Sequence, residues 1–337
     1  MIPSPASSER FPRMMGEFDL IKTYFTRPTK RAVLGVGDDC ALLALAPGMH
    51  LATSTDMLVE GRHFLSTVDP YRLGHKALAV NLSDLAACGA RPLAFTLALA
   101  LPSVDEKFLE GFSQGLLDLA QAHDCELIGG DTTRGPLNLC ITVFGEVPAG
   151  QALLRSGARV GDDVYVSGAL GDARLALEVL CGRLNLPSNG LELTRRALEL
   201  PQPRVSLGMA LRGLAHSAID LSDGLLGDLH HVLLASGVGA RLNVDAVPCS
   251  SLLQEQPIDW QHECTLAGGD DYELLFTAAP ESAPAVQALA AAQGIPLTCI
   301  AQIIASERPG ELRLHDKHGA KVVNQWHSFD HFAAVNT

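Results

Sequence analysis

Six short turns in this chain end on aspartate: Gly37-Asp38-Asp39, Ser54-Thr55-Asp56, Asn81-Leu82-Ser83-Asp84, Gly129-Gly130-Asp131, Asp220-Leu221-Ser222-Asp223-Gly224 and Gly268-Gly269-Asp270-Asp271. Any one of them is ordinary, because Asp folds back on its own backbone and Gly reaches left-handed conformations. The set is not. Asp38-Asp39 and Asp270-Asp271 are vicinal carboxylates in otherwise apolar segments. Gathering such groups without counter-charge raises their pKa values and costs stability. Divalent cations remove that cost. Carboxylate and hydroxyl oxygens with few His or Cys nearby suit Mg²⁺ rather than zinc or iron. The adjacent glycines let a polyphosphate approach the backbone. The pattern points to Mg²⁺-dependent phosphate chemistry.

These turns need elements to hold them. The spacing of Phe18, Ile21 and Phe25 predicts a helix over 17–25. Short buried strands are expected over 32–36 and 51–54, each running into an acidic turn. Leu73, Ala77, Val80, Leu85 and Cys88 share one face of a helix over 71–89, which carries Asp84. A strand over 93–101 precedes an amphipathic helix over 105–123, with Phe108, Phe112, Leu116 and Leu119 inward. A strand over 126–128 then feeds the GGDTTRG turn, and another covers 139–147. The Gly- and Pro-bearing tract 147–163 reads as a seam. Beyond it strands are predicted over 164–167, 217–221, 240–244, 272–277 and 297–303, and helices over 172–181, 205–215 and 225–235. The fold class is therefore α/β: two mixed domains, 16–150 and 151–337. Residues 1–15 form a Pro- and Ser-rich extension expected to be disordered, with Met14 or Met15 as an alternative start.

Composition narrows the function. Among 337 residues, 25 Lys and Arg face 38 Asp and Glu, a formal charge of −13. No basic cluster offers a nucleic-acid surface. No apolar run approaches the ~18–20 residues that span a bilayer, and residues 1–15 hold no apolar leader core. The eight cysteines make no CxxC pair and read as buried, reduced thiols of a cytoplasmic protein. GxxxxGK[ST], GxGxxG, the protein-kinase motifs and HExxH do not occur, which excludes a P-loop or protein-kinase mechanism.

At its acidic turns the chain resembles the thiamine-monophosphate kinases, whose superfamily includes aminoimidazole-ribonucleotide synthetase, selenophosphate synthetase and a hydrogenase-maturation protein. The matching motifs are GVGDDCA (35–41), STDMLVEGRHF (54–64), KALAVNLSDLAACGA (76–90), LIGGDTTRG (127–135), RSGARVGD (155–162), AIDLSDGL (218–225) and GGDDYEL (268–274). The similarity runs from Gly16-Glu17-Phe18 to Asp330-His331-Phe332. It implies a homodimer whose N-terminal domains pair strands into a barrel. It also implies direct in-line transfer of the ATP γ-phosphoryl group to thiamine monophosphate, assisted by several Mg²⁺ ions and without a covalent nucleophile. By position, Asp39, Ser54, Thr55, Asp56, Asp84, Asp131, Asp220 and Asp223 would be metal ligands. Gly130, Asp131, Arg155 and Ser222 would contact ATP; His63, Asp270 and Trp326 would contact thiamine monophosphate. Two departures stand out: Asp270 where relatives often carry Glu, and Ala122-His123 where relatives often carry a Tyr beside adenine, leaving His123 to stack there. The alternatives are another ATPase of the superfamily, aminoimidazole-ribonucleotide synthetase-like, or a Mg²⁺-dependent phosphatase. No Cys precedes Cys40 and the chain ends Ala-Val-Asn-Thr, unlike the selenophosphate and hydrogenase-maturation members.

Overall fold

The computed structural model describes residues 16–329. The extension 1–15 and the match at Asp330-His331-Phe332 lie outside the described residues. Helix α1 (Glu17–Leu20) continues as a π-helical turn, Ile21–Phe25. The strand expected over 32–36 is only a pair of isolated bridges, Leu34 to Leu42 and Val36 to Asp38. Then follow β1 (Met49–Val59), α2 (Pro70–Ala87), β2 (Arg91–Leu101), α3 (Glu106–Ala122), β3 (Glu126–Arg134) and β4 (Asn138–Pro148). Local chemistry starts both helices. The Asp69 carboxylate caps α2 by accepting from the Arg72 N–H, with Pro70 in the first turn. Asp105 accepts from the Lys107 and Phe108 N–H groups to start α3.

The four strands form one sheet in the order β1-β4-β2-β3. Strands β2 and β3 are parallel, joined through α3, and β4 lies antiparallel between β1 and β2. Helices α2 and α3 cover one face, and Leu73, Phe95, Phe112, Leu116 and Ile141 fill the core between. The two helices meet backbone to backbone: a Cβ on Gly74 would lie 2.0 Å from the Phe112 carbonyl oxygen, and one on Gly115 would lie 1.9 Å from that of Tyr71. This accounts for a GxSxG string, Gly111 to Gly115, that superficially matches a hydrolase elbow. It lies inside α3, where Ser113 bonds the Glu110 carbonyl, and not at a strand-to-helix turn.

Two strand expectations need correction. The segment 51–54 belongs to an eleven-residue strand with one open face, not to a short buried one. Strand β3 does not stop at Ile128. It runs on through GGDTTR, because the parallel partner β2 continues to supply ladder bonds, with Asp131 opposite Ala98.

The rest of the chain comprises β5 (Asp163–Ser167), α4 (Asp172–Leu180), α5 (Ser188–Glu199), α6 (Val205–Ala210), β6 (Ser217–Asp220), α7 (Leu225–Ser236), β7 (Gly239–Asn243), α8 (Ser251–Gln254), α9 (Ile258–Ala267), β8 (Leu274–Ala278), α10 (Ala283–Gln293), β9 (Leu297–Ile304) and β10 (Leu312–His315). Its six strands order β10-β7-β9-β5-β8-β6. Periodicity missed α5, α8, α9, α10 and β10. Strand β8 begins two residues later than expected, because Tyr272 sits at a φ of +51° that no strand accepts. No helix among the described residues is long and apolar enough to cross a membrane. All eight cysteines are free, but Cys40, Cys181 and Cys299 are exposed, so the thiols are not uniformly buried.

Candidate active site

The NLSD motif on α2 makes three separate connections. The Asn81 side chain accepts the Asp56 N–H (3.1 Å) and donates to the Ala77 carbonyl (3.0 Å), locking β1 to the helix. Ser83 Oγ donates to Asp220 Oδ2 at 2.7 Å, tying the end of β6 to the same helix. Asp84 accepts from Ser54 Oγ at 2.5 Å. One helical turn thereby gathers Asp56, Asp84 and Asp220 from three elements. With His63, Asp223 and Asp270 they line a cavity of ≈ 660 Å³.

The carboxylates crowd one another. Burial, then the charges of Asp84 and Asp223, push Asp56 up to about 7. Burial, then Asp84, push Asp220 to about 8. Burial also raises Asp84, opposed by its Ser54 bond and the Arg155 guanidinium. Arg155, Asp84 and Asp220 share an adjoining cavity of ≈ 220 Å³. Asp223 begins the turn into α7, and Asp228 shapes that turn by accepting the N–H groups of Ser222, Asp223 and Gly224 at 3.1–3.2 Å. Asp228 was not anticipated; its signal is an acid in the first turn of a helix that follows Asp-Gly.

The vicinal pair at the other wall divides. Asp271 is half-buried and accepts the Gly171 N–H at 2.8 Å, where α4 starts, so it is part of the frame. Asp270 faces the cavity at a φ of +68°. Its N–H is bonded to the Ser222 carbonyl (2.9 Å), and its Oδ1 meets Lys76 Nζ (2.8 Å) and the Tyr272 hydroxyl (3.1 Å). Lys76 too was unanticipated, although a lysine amid the apolar residues of a buried helix is a legible signal.

Other expected site residues are not brought here. Asp39, Gly130 and Asp131 line a second cavity of ≈ 620 Å³ with Asp38, Phe18 and Phe25. Gly130 lies so close to β2 that a Cβ would stand 1.9 Å from the Leu97 carbonyl oxygen. Thr55 points to the opposite face of β1, its hydroxyl 2.8 Å from that of Thr142, because neighbours on a strand alternate sides. Trp326 is buried in the second core with its ring against His262, and it does not line the cavity. The aromatic rings that do are those of Tyr272 and Phe329, the latter beneath the Arg62 guanidinium at 4.8 Å. His123 lines neither cavity. Burial, then the nearby His75, lower its pKa.

Among the described residues no three His, Cys, Asp or Glu side chains close into a ready-made metal cage. The donor set nevertheless fits Mg²⁺, which keeps several waters and takes one or two carboxylates plus substrate phosphates. Carboxylates raised first by burial, and at Asp56 and Asp220 also by neighbouring charge, are groups that such a cation would relieve.

Residues 37–147 match the N-terminal domain, and residues 159–312 the C-terminal domain, of AIR synthase related proteins. The chain is 48% identical to the thiamine-monophosphate kinase of Escherichia coli K12 over 328 residues, covering 94% of this chain and 98% of the relative. It is 43% identical to that of Haemophilus influenzae over 325 residues, with the same coverage. The crystal structure of thiamine-monophosphate kinase from Stenotrophomonas maltophilia K279a superposes with a TM-score of 0.81 at 45% identity, covering 87% of this chain and 92% of its own. The structure of AaThiL complexed with AMPPCP and TMP gives 0.71 at 28% identity, covering 94% and 99%.

Proposed function

The chain belongs to the thiamine-monophosphate kinases, within the AIR synthase related proteins, and from that premise we propose that it moves the γ-phosphoryl group of ATP directly onto the phosphate of thiamine monophosphate, forming thiamine diphosphate and ADP. The observation that carries the reading is the cavity in which Asp56, Asp84 and Asp220 crowd together beside His63 and Asp270. An anionic acceptor must attack an anionic phosphorus, so catalysis consists mainly of charge neutralisation and in-line positioning. Mg²⁺ ions held by Asp56, Asp84, Asp220 and Asp223 would neutralise the polyphosphate and the incoming phosphate.

The chain's own residues do the rest. Ser54 and Asn81 hold Asp84 and the Asp56 backbone in place. Arg155, beside Asp84, offers a planar, charge-assisted grip on phosphate. Ser222 is fixed in the turn that Asp228 organises. Asp270 and His63 receive the acceptor. Phe329, whose ring already carries a guanidinium, takes the stacking role expected of Trp326 for the cationic ring. Asp39, Gly130 and Asp131, in the second cavity, are assigned to the nucleotide with a cation of its own. Thr55 is left only its backbone carbonyl for such a role.

We assign nucleotide and metal binding mainly to residues 16–150 and the remaining walls to 151–337. The open face of β1 exposes Leu51 and Met57, an apolar surface suited to barrel pairing with a second copy. Free thiols on the surface suit a reducing cytoplasm. The test is an assay that follows thiamine diphosphate and free phosphate together. Equimolar thiamine diphosphate and ADP support the kinase; phosphate release without thiamine diphosphate overturns it in favour of a phosphatase.

A further inference from the structure

Lys76 is among the largest fully buried side chains of the described residues, at 2% exposure. It sits on α2 among Leu73, Ala77, Ala79 and Val80, all buried. An ammonium in such surroundings costs several kcal/mol unless it is paired and hydrogen-bonded, so its partners explain its presence. Its Nζ lies 2.8 Å from Asp270 Oδ1 and 3.4 Å from the His63 carbonyl oxygen. Those partners belong to two different walls of the cavity: the loop after β1 and the turn after α9. Lys76 therefore ties the walls together from behind.

The turn it reaches is strained. Asp270 and Tyr272 both adopt left-handed backbone angles, +68° and +51°, which side-chain-bearing residues keep only where their surroundings dictate them. Lys76 and the Tyr272 hydroxyl both bond Oδ1 of Asp270. The other oxygen, Oδ2, has no partner among the described residues. A carboxylate held by one oxygen presents the second in a fixed direction, suited to the amino N–H of an aminopyrimidine.

We infer that Lys76 is a positioning residue for acceptor recognition: it fixes Asp270 and the His63 loop so that one free carboxylate oxygen meets the amino group of the acceptor's pyrimidine ring. This rests on the kinase reading for the identity of that acceptor, and it adds a specificity determinant outside the expected contact set.

The test measures binding of thiamine monophosphate alone by calorimetry, together with KM for each substrate and kcat. Lys76→Met should weaken thiamine monophosphate binding about tenfold or more, the size of one lost charge-assisted hydrogen bond. KM for ATP should stay within about twofold, and Lys76→Arg, which retains the charge, should recover part of the loss. Should Lys76→Met not fold, the double variant Lys76→Met/Asp270→Asn, which leaves no unpaired charge, carries the test and should bind as weakly as Asp270→Asn. Wild-type acceptor affinity in Lys76→Met, or in the double variant, overturns the inference while leaving the kinase intact. So does an equal rise in both KM values. A wild-type chain that binds thiamine monophosphate but never phosphorylates it overturns the kinase reading and leaves Lys76 standing. A wild-type chain that does not bind it overturns both.

Discussion

Buried acids occur in two settings in this molecule, and the fold treats them in opposite ways. In the frame, four glutamates are given cations, while Asp228 and Asp271 are held by backbone N–H groups instead. Glu178 meets Arg174 (2.6 Å) and Arg183; Glu199 meets Arg72 (3.2 Å) and Arg195 (2.8 Å); Glu146 meets Arg91 and Glu273 meets Arg204. Burial alone would raise Glu178, but the two guanidinium groups bring it below the usual carboxylate range. In the cavity, Asp56, Asp84 and Asp220 are raised, and Arg155, acting on Asp84, is the cation that opposes this. The chain evidently has arginines to compensate a buried acid where structure requires it. Where three acids crowd in the cavity, it provides no such arginine pairs, at the expense of stability in the empty protein.

The sharpest way to break this contrast is Asp84→Asn. It should lower kcat about a thousandfold or more, as expected when a charge-stabilising contact to the transferring phosphoryl group is lost. The melting temperature of the metal-free protein should hold or rise, because one repelling charge is gone. Near-wild-type turnover at saturating Mg²⁺, or a collapse of the fold, would put Asp84 in the frame class. Trp326→Ala tests the same division among aromatics. It should cost about 3–5 kcal/mol of stability by emptying the second core, with both KM values little changed.

Glu178→Gln should cost about 2 kcal/mol, a few degrees in melting temperature, without affecting turnover. If turnover falls with intact stability, Glu178 belongs to the site. The pH dependence separates the classes by sign. Asp56 and Asp220 are raised from 3.8 to about 7 and about 8, so the folded state keeps protons that the unfolded chain has released. The metal-free protein should lose stability as pH rises from about 4 to about 8 and then level off. Glu178 is lowered, so its contribution is present above its unfolded value of 4.5 and is lost as pH falls through the depressed folded value. Differential scanning calorimetry with chelator and with Mg²⁺ checks this: Mg²⁺ should raise the melting temperature more at pH 8 than at pH 6. An equal rise at both would mean the cluster is already compensated. The smallest effect is expected from Phe329→Ala, a two- to fivefold rise in KM for thiamine monophosphate, the size of one exposed cation–π contact. No change in that KM would remove Phe329 from the pocket.

Much of this was legible in the linear chain. The acidic turns, the α2 motif and the alternation of strands with helices are local patterns, set by residue type and short spacings. Asp56, Asp84, Asp220 and Asp223 do reach one cavity, as the motifs imply. What spacing could not report was direction. Ser54 and Thr55 are adjacent in the same motif, yet the pleat sends one hydroxyl to Asp84 and the other to Thr142. Trp326 and Phe329 are three residues apart, yet one fills a core and the other lines the site.

The sequence by itself determined the family, the donor chemistry and most of the elements, because these depend on residue identity and on neighbours a few positions away. Tertiary structure alone decided which carboxylate of Asp270-Asp271 meets the cavity, that Asp39 and Asp131 open onto a different cavity from Asp56 and Asp84, and that Lys76 stands behind Asp270. Each of these is a pairing across long stretches of chain, set by packing and by the need of every buried charge for a partner, and short-range periodicity carries no record of it.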